Sequence, residues 1–328
     1  MARLTAAFAS SHSVMLAAQL EDWLTRFRVS DLRMPYFDDE GKKISYETVL
    51  ARAPDGIAEL ITEEAITRRF NEVQAAMESM KQQVQAAKLD VLIIVGDDQY
   101  EMFKDDHMPS LGVYYGETIR NAVREELPPE EWYRRAQMCR LEEDTEANYP
   151  CHSKLAVHLI ENMIEREFDV AAVSATPPDL TEGHAYSFVH RWYLKGAIIP
   201  VVPIFLNTYN WPNPPTPKRC VKFGKTLREL IASYPEDLNV GLMASGGLSH
   251  FIVEEKMDRD IMAALRGKDL DFLGNLDARK LKAGSSEIRN WIVVASAATD
   301  LNVTWESYTP GYRTMAGTGT GLGFARWS

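Results

Sequence analysis

Seven histidines are scattered along this chain, and three of them, His12, His184 and His250, each follow an apolar run of strand-like length. Imidazole titrates near neutral pH and offers a lone pair to metals, so it serves both as acid/base and as ligand. A single histidine is more often a satisfied core or surface residue; three at equivalent topological positions point to one shared site. Gly246-Gly247, just ahead of His250, would let the backbone turn tightly and approach a neighbour closely. Glu287 lies in Gly284-Ser285-Ser286-Glu287, where Ser285 or Ser286 should cap a helix running to about Ala298. A glutamate there ordinarily compensates the helix dipole. In the company of the histidines it becomes a candidate metal ligand. Two imidazoles or their equivalents with one carboxylate leave coordination positions open, the arrangement non-haem Fe(II) uses to take a chelating substrate and O₂ together. Zinc is the rival metal, although neither HExxH nor CxxC occurs.

The elements that must position these groups read as an α/β fold. Leu4 to Phe8 predicts a short buried strand with His12 at its tip. Ile66, Phe70, Val73, Met77, Met80 and Val84 recur at spacings of three and four, which predicts an amphipathic helix over 63–88. It leads into Val91 to Gly96, a continuous apolar run suited to a strand covered on both faces, followed by Asp97-Asp98-Gln99. Similar runs at 170–173, 197–206 and 240–244 alternate with helical patterns at 153–165 and 219–233. Pro200 and Pro203 argue that the run at 197–206 is bent or lies at a sheet edge. The charged stretch from Glu125 to Pro150 reads as a helical excursion, and Asn207 to Pro217, rich in proline, as an extended stiff loop. We therefore expect a single domain over 1–328, with a central, mixed, largely parallel sheet flanked by helices and a helical insertion at about 117–165. The glycine-rich 317–323 segment lacks the strand before and the helix after that a phosphate loop needs.

Composition narrows the partners. The 36 basic and 47 acidic residues leave a formal charge of -11, and no basic run stands against it. Nucleic acid and anionic membrane surfaces are excluded on charge, and no stretch reaches the roughly 18 apolar residues of a spanning helix. Three scattered cysteines, Cys139, Cys151 and Cys220, imply reduced thiols and a cytoplasmic protein. The faintly leader-like start is broken at Ser10 to Ser13, so it is expected to be mature sequence.

Taken in order, Ser10-Ser11-His12, Gly96-Asp97-Asp98-Gln99 with Met108-Pro109, Glu182-Gly183-His184, Ile199 to Pro203 with Pro214 to Cys220, Ser245-Gly246-Gly247-Leu248-Ser249-His250, and Glu287 resemble the type III extradiol dioxygenases, the superfamily of protocatechuate 4,5-dioxygenase beta subunit and gallate dioxygenase. The resemblance implies a ferrous site with His12 and Glu287 as ligands, His250 as the catalytic acid/base and His184 as a second active-site histidine. Family members carry Asn-Asp-His after the second strand; counting back from Met108-Pro109 sets Gln99 at the second histidine's ligand position. Asp98 is the alternative ligand there, and His107 a more distant one. The implied reaction is extradiol cleavage of a catechol-type ring, which binds Fe(II) through both hydroxyls while His250 takes a proton. The implied partners are a small aromatic substrate and O₂, with a homo-oligomer expected and room for a small partner subunit. A zinc-dependent hydrolase or lyase on the same scaffold, and a noncatalytic subunit, are the competing readings. Joint retention of His12, His184, His250 and Glu287 argues against the last.

Overall fold

Alternate residues of the run Val91–Gly96 face opposite layers. Val91, Ile93 and Val95 join one large apolar core, Leu92 and Ile94 the other, and all are fully buried. A strand so enclosed needs helices on both faces. The computed structural model, which describes residues 1–328, supplies them.

One sheet is built from β1 (Arg3–Ser10), β2 (Val91–Gly96), β3 (Leu111–Tyr114), β4 (Ala171–Val173), β5 (Val201–Leu206), β6 (Asn239–Ser245), β7 (His250–Ile252), β8 (Val303–Tyr312) and β9 (Thr318–Trp327). Its order is β7-β9-β1-β6-β2-β5-β3-β4, with β8 paired along β9. Strands β1, β6, β2 and β5 run parallel; β3 is antiparallel to β5, and β9 antiparallel to β1. The sheet is thus mixed with a parallel centre, as the alternation of runs and helical patterns predicts. Against one face pack α5 (Pro217–Ser233) and α7 (Ile288–Ala297); against the other pack α1 (Glu63–Ala86) and α4 (His184–Trp192). Further helices used below are α2 (Trp132–Met138), α3 (Ser153–Ile164) and α6 (Glu255–Gly267). No helix is long and apolar enough to cross a membrane.

The proline-bearing run is not an edge strand. Strand β5 sits between β2 and β3 and is buried throughout. Prolines are tolerated there because the antiparallel pairs with β3 begin only at Ile204, so the donor Pro203 lacks falls where that ladder has ended, and Pro200 precedes the strand. The edge falls to the three-residue β4, which is only partly buried. Residues 318–323 of the glycine-rich segment lie in β9, where Gly321 leaves space for Asp258: a Cβ there would stand 2.0 Å from the Asp258 carboxylate.

Parallel register brings the strand ends together. Ser10 lies opposite Ser245, and Ala244 opposite Val95, so the segments after β1, β6 and β2 emerge side by side. Ligand sites of open α/β sheets form at such carboxyl ends.

Candidate metal centre

Two of those segments deliver a polar group to one point, where two helix starts meet them. His12 leaves β1 and Asp97 leaves β2; His184 opens α4, and Glu287 closes a short 3₁₀ turn leading into α7. One ligand atom from each of His12, Asp97, His184 and Glu287 lies within 4.8 Å of every other. His12 Nε2 stands 3.0 Å from Glu287 Oε2 and 3.8 Å from Asp97 Oδ1, while His184 Nε2 is 3.8 Å from Asp97 Oδ2.

The surrounding hydrogen bonds set which nitrogen faces inward. Ser245 Oγ donates to the Ala185 carbonyl at 2.7 Å and therefore accepts from His12 Nδ1 at 3.0 Å. That leaves Nε2 of His12 as the lone-pair nitrogen. His184 Nδ1 donates to Glu101 Oε2 at 2.5 Å, and Glu101 is held in turn by Arg140 at 2.8 Å. Carboxylate-bound histidines with the other nitrogen turned to a common point are the usual support of a metal site. His12 Nε2, His184 Nε2 and Asp97 Oδ2 are buried and accept or donate no hydrogen bond. An imidazole lone pair and a carboxylate oxygen 3.0 Å apart repel unless a proton or a cation lies between them. The residues therefore fit a divalent cation, which would satisfy all of these atoms at once.

Charge follows the same plan. Burial alone would raise the Glu287 carboxyl, but positive charge at His12, in the place a cation would take, and the Gly247 amide (2.6 Å) hold it well below its usual range. Asp97 is raised, by burial and then by Glu287. Burial opposes the His184 imidazolium, yet Glu101 carries it up to about 9, and His184 and Arg140 reciprocally hold Glu101 at about 2 despite its burial.

His250 lies beside this cluster rather than in it. Its backbone is clamped by Ser285, whose Oγ accepts from the His250 amide at 2.8 Å and donates to its carbonyl at 2.7 Å. Its Nδ1 pairs with the Leu248 carbonyl at 3.0 Å, and burial lowers its pKa, which keeps the ring neutral. The glycines packed on it act by absence of a side chain: a Cβ on Gly247 would stand 2.1 Å from His250 Cε1, and one on Gly284 2.5 Å from its Cγ. Gly246 and Gly247 thus admit His250 and Glu287 rather than adopting an unusual turn.

One expectation from sequence changes here. Ser285 and Ser286 do not cap α7. Ser285 is consumed by His250 and Ser286 bonds Thr208, because the 3₁₀ turn points both hydroxyls back at the neighbouring loops. The Asp98 carboxylate accepts from the amides of Glu101, Met102 and Phe103 and so folds the loop after β2. His107 is exposed and away from the cluster. Gln99 is at the rim, exposed, with Nε2 donating to Glu287 Oε1 at 3.4 Å. Asp97, a carboxylate immediately after a strand end, joins the cluster beside His12. Nothing local in the sequence marks Glu101 or Ser245 as supports, since their partners are 83 and 233 residues distant.

The cluster opens into a cavity of about 140 Å³ lined by Phe27, Tyr133, Phe188, Tyr209, Phe251 and Arg313 among others. That is near the size of an apolar cavity able to hold one benzene ring. Helix α2, within the expected insertion, supplies Tyr133 and Ala136 to its wall.

Comparison with known proteins decides the lineage. The profile of the catalytic LigB subunit of aromatic ring-opening dioxygenase matches residues 58–323. The chain belongs to this family. Gallate dioxygenase of Pseudomonas putida is 32% identical over 114 residues, which is 32% of this chain and 30% of that protein. The match therefore spans less than a third of the relative's length. An uncharacterized protein of Escherichia coli K12, known from its crystal structure, is 13% identical with a TM-score of 0.43, covering 77% of this chain and 92% of that one.

Proposed function

We propose that this LigB-family chain opens catechol-type aromatic rings by extradiol cleavage with O₂ at a ferrous centre. The observation that carries the reading is the set of inward-facing, unpartnered buried atoms on His12, His184 and Asp97 beside an ionised Glu287. His12 and Glu287 would hold the metal, with Asp97, His184 and the rim residue Gln99 completing or flanking the set. A bound ferrous ion would supply one-electron chemistry between a chelated ring and O₂.

The chain's own residues do the rest. Leu248 takes the Nδ1 proton of His250 in a hydrogen bond, so Nε2 is the basic nitrogen and can accept a proton from a ring hydroxyl in the cavity. Its lowered pKa keeps it unprotonated at neutral pH, ready for that step. Phe188, Phe251, Tyr133 and Tyr209 wall the ring from water, and Ser245 and Glu101 hold the two imidazoles in register. The three cysteines are unpaired thiols outside the cluster, in keeping with a reducing cytoplasm.

The test is metal analysis of anaerobically purified protein joined to an O₂-uptake screen over catechols. Iron with uptake supports the reading. Zinc without uptake transfers the chain to hydrolytic or lyase chemistry, and neither metal leaves a noncatalytic subunit.

A further inference from the structure

Asp258 stands in the first turn of α6 and is fully buried, yet it forms no ion pair. Its carboxylate instead takes three neutral donors. Oδ1 accepts from the Ser249 amide at 2.9 Å, and Oδ2 accepts from the Ser249 hydroxyl at 2.6 Å and from the Tyr308 hydroxyl of β8 at 2.8 Å. Burial raises its pKa to about 6, which still leaves it ionised at neutral pH. Bracing the turn before β7 does not call for that charge. The Gly321 amide already holds the Ser249 carbonyl at 2.8 Å and the Glu254 amide its hydroxyl at 3.0 Å, and an asparagine at 258 would complete the brace without the desolvation cost of an unpaired ion.

The peptide that the charge touches leads to the active site. Ser249 N–H belongs to the Leu248–Ser249 peptide, and the Leu248 carbonyl on its other edge pairs with His250 Nδ1 at 3.0 Å. This peptide is trans, so its N–H and C=O point in opposite directions from one rigid plane. A carbonyl only accepts, which assigns the ring proton to Nδ1 and the lone pair to Nε2. An anion on the N–H edge polarises the peptide and makes its oxygen the stronger acceptor. His184 has a carboxylate directly on Nδ1, from Glu101; His250 has one relayed through a peptide.

We propose that Asp258 is a positioning residue for His250, acting through the Leu248–Ser249 peptide to keep the ring proton on Nδ1 and the basic nitrogen, Nε2, free. The consequence for turnover rests on the reading of His250 as the base in ring opening; the tautomer does not.

The experiment reads the His250 tautomer by NMR of isotope-labelled histidine in the full chain at neutral pH, chelator-treated so that no paramagnetic ion broadens the signals. The wild type is expected to hold the proton on Nδ1. Asp258→Ala should lower the ratio of the Nδ1–H to the Nε2–H form by about 5-fold, the scale of one intramolecular hydrogen bond. Asp258→Asn keeps an oxygen for the Ser249 amide but loses the charge, and should lower the ratio by about 2-fold or more. Tyr308→Phe, which leaves both Ser249 contacts in place, should not change it. In steady-state O₂ uptake the Asp258 variants should lose kcat in step with the ratio, at unchanged KM and metal content. A wild-type proton on Nε2 overturns the proposal, as does an unchanged ratio in Asp258→Asn, whether or not the alanine variant folds; so does an equal fall in Tyr308→Phe, the mark of general loosening. A tautomer shift in a chain that opens no ring sinks the dioxygenase reading alone, and ring opening with an unshifted tautomer sinks this proposal alone.

Discussion

Two segments that leave neighbouring parallel strands solve the same problem differently. After β2, adjacent aspartates divide their labour. Asp97 keeps a bare oxygen toward the cluster, whereas Asp98, one residue on, gives its carboxylate to three backbone amides. After β6, no side chain of Gly246 or Gly247 takes part. The backbone itself serves, Gly247 N–H donating to Glu287 and the empty Cβ positions seating His250. The first segment places charge by spending a second charge on the turn; the second makes room. Residue type alone does not separate a ligand from a loop brace, because direction is set by which backbone groups are left to satisfy.

This contrast can be broken from its strongest point downward. Glu287→Gln keeps the shape that Gly247 contacts while removing the ionised oxygen beside His12, and should lower metal affinity by more than about 10²-fold, beyond the usual cost of losing an outer support; metal titration under anaerobic conditions checks it. His250→Ala should leave metal content nearly unchanged and lower turnover by roughly 10²-fold, the scale of a positioned base. Metal loss in parallel with activity would make His250 a ligand instead.

The two aspartates should part company in stability. Asp98→Ala orphans three amides and is expected to cost about 2 kcal/mol. Asp97→Asn removes a like charge near Glu287, and should leave the chelator-treated protein as stable or more so while weakening its hold on metal. Thermal unfolding with and without metal measures both; equal stability losses would abolish the distinction drawn between them.

Smaller effects follow pH. Glu101 raises His184 from 6.5 to about 9, so this pair stabilises the chelator-treated protein fully below pH 6.5 and loses that contribution as pH rises through about 9. The melting temperature of chelated protein should fall across that window, and Glu101→Gln should flatten the fall. The smallest change expected is Gln99→His, which should tighten iron retention against a mild chelator, since imidazole is the better donor. Unchanged retention would show that residue 99 stays at the rim.

Much of this architecture was legible because burial writes itself into periodicity. The run at 91–96 and the spacing from Ile66 to Val84 each predict an element that the structure contains. His12, His184 and Glu287 were legible as strand-end and helix-start polar groups, and the structure brings them together. What could not be read depended on direction or on distance. Pro203 suggested an edge because a sequence does not show where a ladder stops. Ser285 suggested a cap because its partner, the His250 backbone, lies 35 residues earlier. Asp97 and Asp98 are alike in the sequence and are told apart only by the amides of residues 101–103.

The central claim of the proposed function is that His12 and Glu287 hold a metal within the cluster they form with Asp97 and His184. Anomalous diffraction at the iron edge, from crystals loaded with Fe(II) without oxygen, tests it most directly. The expected result is one peak per chain with His12 Nε2 and a Glu287 oxygen at about 2.0 to 2.2 Å, the usual range for such bonds. A peak elsewhere, or none in crystals whose iron content is one per chain, would contradict it.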